Sequence, residues 1–183
     1  MLGLDQSKEA MLYYLFMMSD GEVSDSEKKL FTKICKEMKM DAEERKAVID
    51  NCEKSIEYYE NAFDMITGEN IDDKVGRGSV WFGSKDASEL ARIIWNLVDL
   101  GYADTDYSEN EREIVNYLVE KWEIKTEVYQ EMVDTAETIL ALVKQKEWLD
   151  STFPEDSLRK KKIDSEIKTM LSDIKLTIDE LTM

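Results

Sequence analysis

Apolar residues recur three and four positions apart along most of the chain, the spacing of one helix face rather than the alternation of a strand. The first stretch carries Leu4, Met11, Leu12, Leu15 and Phe16 and ends at Asp20-Gly21. A second begins at Ser24, where Ser24-Asp25-Ser26-Glu27 spells a capping box ahead of Leu30, Phe31, Ile34, Cys35 and Met38. Asp41 can cap a third, running through Ala47, Val48, Cys52 and Ile56 toward Ile66. Four of the seven glycines (Gly68, Gly76, Gly78 and Gly83) follow, which marks residues 67–85 as the main loop. Helical spacing resumes near Asp86 with Leu90, Ile93, Ile94, Leu97 and Val98, and breaks at Gly101. A second capping box, Ser108-Glu109-Asn110-Glu111, then opens a helix with Ile114, Val115, Leu118 and Trp122. A long helix from about Thr126 to Leu149 and a turn ending at Pro154 lead to a last helix. That helix carries Ile163, Ile167, Met170, Leu171, Ile174, Ile178 and Leu181. Its stripe is wider than a strict coiled-coil seam, so it can pack on its own domain or pair with a second chain.

The two capping boxes belong to a longer repeat. Setting Ser24 on Ser108 puts Asp20 on Asp104, Glu27 on Glu111, Leu30 on Ile114, Ile34 on Leu118 and Met38 on Trp122. Upstream, Tyr13 meets Leu97 and Phe16 meets Leu100. Acidic, capping and apolar positions agree together, as a duplication requires. The predicted fold is all-α, a bundle of about seven helices. It is built from two helix-loop-helix units, at about residues 5–40 and 86–124, within a domain of residues 1–150. Residues 151–183 add a C-terminal helix that packs on the domain or on a partner.

The two loops with their helix starts resemble a known signature. Met18-Ser19-Asp20-Gly21-Glu22-Val23-Ser24-Asp25-Ser26-Glu27 and Ala103-Asp104-Thr105-Asp106-Tyr107-Ser108-Glu109-Asn110-Glu111 are similar to the twin motif of TerB-like domains. This bacterial family is named for tellurite resistance and includes amino-terminal domains of some J-domain co-chaperones. The resemblance covers roughly residues 5–150. It implies an all-helical bundle, a cytoplasmic stress-associated role and divalent-metal binding by the acidic loops. The second loop departs from the pattern by lacking the glycine.

Composition narrows the chemistry. Histidine is absent, which excludes Ser-His-Asp and Cys-His catalysis, histidine-ligated zinc and haem, and imidazole proton transfer. The formal net charge of -17 repels phosphate backbones, so nucleic acid is not an expected partner. Residues 151–183 contribute only -1, leaving a surface on residues 1–150 that attracts cations or basic partners. Cys35 and Cys52 lie among apolar helical positions and read as small core residues of a reducing compartment. The apolar run from Ala10 to Met18 is too short to span a bilayer and no basic leader precedes it, so a cytoplasmic location is expected. Gly78-Ser79-Val80-Trp81-Phe82-Gly83-Ser84-Lys85 only approaches a phosphate-binding loop. Serine precedes lysine and no strand leads into it, so no nucleotide is expected. Trp81 and Phe82 can cover the core or form a partner-binding tip. The single basic run, Arg159-Lys160-Lys161-Lys162, can meet the acidic face of its own or another chain, or an anionic membrane, and reads by default as a solvated helix face.

The candidate site is the pair of acidic loops. Asp20, Glu22 and Glu27 in one, and Asp104, Asp106 and Glu111 in the other, supply the oxygens a hard divalent cation needs. Calcium, magnesium or manganese suits such a set, and zinc is the poorest match. Neither loop is an EF-hand: counted from Asp104, position six is Glu109 and position twelve is Val115; from Asp20, position twelve is Phe31. The other reading is that Glu27 and Glu111 only close their capping boxes, with the acids favoured by the helix dipoles. The two roles compete for the same oxygens. The sequence therefore predicts a non-enzymatic cytoplasmic interaction module with a protein partner and divalent-cation-binding loops. Two alternatives stand beside it: a metal-dependent hydrolase built on the clustered carboxylates, and a plain helical scaffold self-associating through residues 151–183.

Overall fold

Side-chain caps fix where several of the helices begin. In a computed structural model that describes residues 4–21, 23–57, 62–67, 87–105, 107–155 and 157–182, eight helices are present and no strand. They are α1 (Leu4–Met17), α2 (Asp25–Glu37), α3 (Ala42–Ile56), α4 (Ala62–Thr67), α5 (Ala87–Gly101), α6 (Glu109–Lys121), α7 (Thr126–Thr152) and α8 (Leu158–Leu181). Ser24, Asp41 and Ser108 each head a complete capping box, with the side chain accepting from the backbone N–H at N3 while the N3 glutamate accepts from the cap's own N–H. The all-α reading holds.

The bundle is organised around two helices: α1, whose C-terminal half is apolar all round, and α5, whose broad apolar face lies opposite a stripe of Ser88, Arg92, Asn96 and Asp99. On α1, Ala10 and every residue from Leu12 to Met17 is buried; on α5, Ala91, Ile93, Ile94, Trp95, Leu97, Val98, Leu100 and Gly101 are. A run buried on every side, as residues 12–17 are, belongs at the centre of a fold. α1 packs on α5, and each also holds helices of both halves: α2 lies on α1 and on α5, α6 on α5 and on α1. The two halves thus interlock rather than stand side by side.

The duplication extends to backbone hydrogen bonds at the same offset. Lys39 and Glu123 both adopt positive φ, 62° and 54°, at the ends of α2 and α6. Met40 N–H donates to the Cys35 carbonyl at 2.9 Å, as Ile124 N–H does to Val119 at 3.0 Å. Further on, Arg45 N–H reaches the Asp41 carbonyl and Tyr129 N–H the Lys125 carbonyl, both at 3.1 Å. Each repeat is therefore three helices, α1–α3 and α5–α7, one more than the capping boxes alone suggest.

Two boundaries and one exposed face differ from the sequence reading. The third helix ends at Ile56 instead of continuing to Ile66; the short α4 follows separately, packing on α1 and α6 with Phe63 edge-on to Tyr117. Thr67 still belongs to α4. The rest of the predicted loop, residues 68–85, lies outside the described residues, and with it the near phosphate-loop motif, Trp81 and Phe82. The basic run is not a uniformly solvated face: Lys160 is buried, its Nζ 2.9 Å from both Asp150 and Glu155. Two carboxylates thus answer its charge.

The last helix folds back along α7. Leu142, Leu149 and Ile167 form a second small core with Phe153, Ile163, Leu171 and Ile174 around them. Further along α8, Ile178 and Leu181 return to the main core. Both cysteines are buried and unbridged, with burial pushing Cys35 up to about 11 and Cys52 up to about 12, so neither is a ready thiolate.

Candidate functional site: a junction of two acidic turns

The turns after α1 and α5 are built alike. Ser19 N–H donates to the Phe16 carbonyl, as Ala103 N–H does to Leu100, both at 3.0 Å. Gly21 N–H donates to Met18, as Thr105 N–H does to Tyr102, both at 3.2 Å. Gly21 has φ 93°, and Thr105, its counterpart, has φ 76°. The glycine missing from the second motif is thus replaced by a threonine forced into the left-handed region, a strained place for a β-branched residue.

The interlocked packing brings the turns together. Asn110 Nδ2, in the first turn of α6, donates to the Ser19 carbonyl of the other repeat at 3.1 Å. Glu27 and Glu111 are the buried acids of the junction, only 1% and 3% exposed. Glu27 accepts from the Ser24 N–H at 2.7 Å, and Glu111 from the Ser108 N–H at 2.8 Å. Burial raises the Glu27 carboxyl above its ordinary range; the Ser24 hydrogen bonds oppose this, and the negative charges of Asp104 and Asp20 add to it. Glu111 is pushed up to about 7, again by burial first, against its Ser108 hydrogen bonds and with help from Asp20 and Glu27. Each carboxylate thus feels acids of the opposite loop.

Of the six predicted site residues, Asp20, Glu27, Asp104 and Glu111 are brought together; Glu22 and Asp106 lie outside the described residues. Both glutamates do close capping boxes, through one oxygen each. Among the described residues no three acidic or cysteine side chains stand close enough to hold an ion as placed. The fit therefore depends on oxygens the turns add to this set. Ser19 Oγ, next to Asp20, is buried with no hydrogen-bond partner among the described residues.

Some polar residues of the centre were not singled out from the sequence. Glu9, 2% exposed, accepts two bonds from Arg92 at 2.8 and 3.0 Å and one from the Tyr13 hydroxyl at 2.8 Å; Asn96 donates to that hydroxyl at 2.9 Å. This network clamps α1 to α5 at their contact. Its signal was present as Glu9 and Tyr13, four apart on a mostly apolar helix, opposite Arg92 and Asn96, also four apart.

Two interlocked three-helix repeats with their acidic turns at one junction define the class: an all-helical twin-repeat domain. The chain belongs to the tellurite resistance protein TerB family, whose model matches residues 7–134. No curated protein and no solved structure matches it. Among the described residues no helix is long and apolar enough to cross a membrane.

Proposed function

We propose that this chain is a non-enzymatic cytoplasmic interaction module whose acidic junction takes up a divalent cation and thereby locks its two repeats together. The observation that carries this reading is the gathering of Asp20, Asp104, Glu27 and Glu111, with the two glutamates raised by burial and by the opposing loop's charge. A cation relieves that repulsion, and the oxygen-only donor set suits calcium, magnesium or manganese. The Ser19 hydroxyl, without a hydrogen-bond partner among the described residues, supports the reading by adding a hard oxygen next to Asp20 in the chain. Binding releases a proton wherever Glu111 is protonated, so affinity rises as pH passes 7.

The test is a thermal melt of chelator-stripped protein with calcium, magnesium, manganese and zinc added separately, followed by tryptophan fluorescence. A saturable rise in Tm with one ion is expected, growing with ion concentration as linkage requires. Asp20→Asn together with Asp104→Asn should abolish it. An unchanged Tm with every ion would leave the four carboxylates as helix caps and surface charge.

A further inference from the structure

Beside the second acidic turn a groove of about 430 Å³ runs between α2 and α7, with the C-terminal end of α5 along its base. Leu30 of α2 and Ile139, Leu140 and Val143 of α7 line it, and Val143 is 42% exposed. Its charged lining is Asp99, Asp104, Glu147 and Lys144, so acids outnumber the single lysine. Asp99 is partly buried and makes no hydrogen bond or ion pair among the described residues; burial raises its carboxyl, with Lys33 opposing and Glu37 adding. Asp99 and Ile139 also line a larger cavity of about 800 Å³ beneath α8, so the groove continues along α5 toward the Glu9–Arg92 pair. Asp104 belongs both to the groove and to the acidic junction.

We propose that this groove docks a basic amphipathic helix of a partner protein, its apolar face on Leu30, Ile139 and Val143 and a lysine or arginine reaching Asp99 and Asp104. The proposal rests on the interaction half of the reading above and names the partner's chemistry. Charge selects the occupant: a chain of net charge -17, with acids at this groove, repels nucleic acid, anionic lipid and acidic peptides alike. Shape selects its conformation. The described residues contain no strand to extend, so an extended peptide has no edge to join, whereas a trough between two helices accepts a third. The lining of α7 runs from Ala136 to Glu147, about 17 Å of helix, which matches three turns of ligand.

The probe is a fluorescein-labelled 14-residue leucine-lysine peptide with its leucines on one helix face, against the same composition with leucines spread around the helix. Binding to the full chain is read by fluorescence anisotropy at about 150 mM salt, where diffuse attraction is screened. The one-faced peptide is expected to bind at least tenfold tighter than the spread one. Val143→Glu, at an exposed position, and Asp99→Asn should each weaken it at least fivefold. Glu127→Gln with Glu131→Gln, exposed acids elsewhere on α7, should leave it unchanged. Equal affinity for the two peptides, or groove variants that bind like wild type, would overturn the proposal. So would a doubling of the free chain's mass in light scattering that Val143→Glu abolishes, because the occupant would then be a second copy. The cation melt on the same samples separates the readings: an ion shift without peptide selectivity sinks only this proposal. Peptide selectivity without an ion shift sinks only the cation.

Discussion

Thr105 holds a dihedral that its counterpart gives to glycine, and the two positions make a matched test of strain. A left-handed residue with a Cβ costs about 1–2 kcal/mol, part of which glycine's greater freedom in the unfolded chain takes back. Thr105→Gly is therefore expected to stabilise by about 0.5 kcal/mol in urea unfolding. Gly21→Ala, whose added Cβ meets nothing within 4 Å, should destabilise by about 1 kcal/mol. Destabilisation by Thr105→Gly, or no cost from Gly21→Ala, would refute the strain account. The sequence shows the absence of glycine at 105 but not its consequence, because a motif reports residue types and strain is a matter of dihedral angle. A linked exchange was also hidden. Gly101, counterpart of Met17, lies where an added Cβ would come within 2.4 Å of the Tyr107 ring, counterpart of Val23. Where the second repeat sets glycine against a tyrosine ring, the first has methionine and valine at the matching positions.

Glu111 gives a pH signature. Its folded-state proton is held up to about 7, against an ordinary value of 4.5, so the folded protein binds that proton more tightly than the unfolded chain does. The stabilisation is complete below about pH 4.5 and lost as pH rises through about 7. Glu111→Gln keeps a side chain that can still close the cap, since glutamine serves at N3, but removes the charge. In chelator at pH 8 the variant should exceed wild type by about 1 kcal/mol, after discounting for solvent screening, and the gap should close toward pH 5. Parallel Tm profiles would show that the carboxyl does not titrate as described.

Among the elements, α8 tests how the C-terminal portion is held. Its stripe at Ile163, Ile167, Leu171 and Ile174 is covered by α7, and Ile178 and Leu181 reach the main core. Ile167 is 2% exposed in the small core. Ile167→Ala should cost about 2–4 kcal/mol locally, read as faster amide exchange along α8 with α1 and α5 unchanged. Exchange rising equally everywhere would mean that the two cores melt as one. Helix existence was legible here from spacing alone. The end of α3 was not, because Ile56 and Ile66 continue a compatible spacing across the residues that separate α3 from α4. Lys160 follows the less ordinary of the readings its run allows: instead of standing solvated it meets acids of its own chain, Asp150 and Glu155, which converge on it from across a turn.

At the scale of the molecule, the repeat, the fold class and the family were all present in the order of residues. The interlocking of α2 with α5 and α6 with α1 was not, since periodicity shows which face is buried and not what covers it. The same holds for the junction: Asn110 gave no sign that it would bond Ser19, ninety-one positions away. Net charge makes its own prediction. With -17 on 183 residues, self-repulsion opposes the compact state, so raising sodium chloride from 10 to about 150 mM should increase Tm. A flat response would mean that local pairs already neutralise the surface.

Helix α7 enters both cores without a break: Met132, Val133 and Ala136 lie in the bundle, and Leu142 and Leu149 hold α8. It therefore works as a lever rather than a tether. From Ala136 to Thr152 the arm is about 24 Å long, so a tilt of about 5° at the fulcrum swings the far tip by about 2 Å. A displacement too slight to notice beside the acidic turns would be plain at Trp148, which stands more than half exposed near that tip.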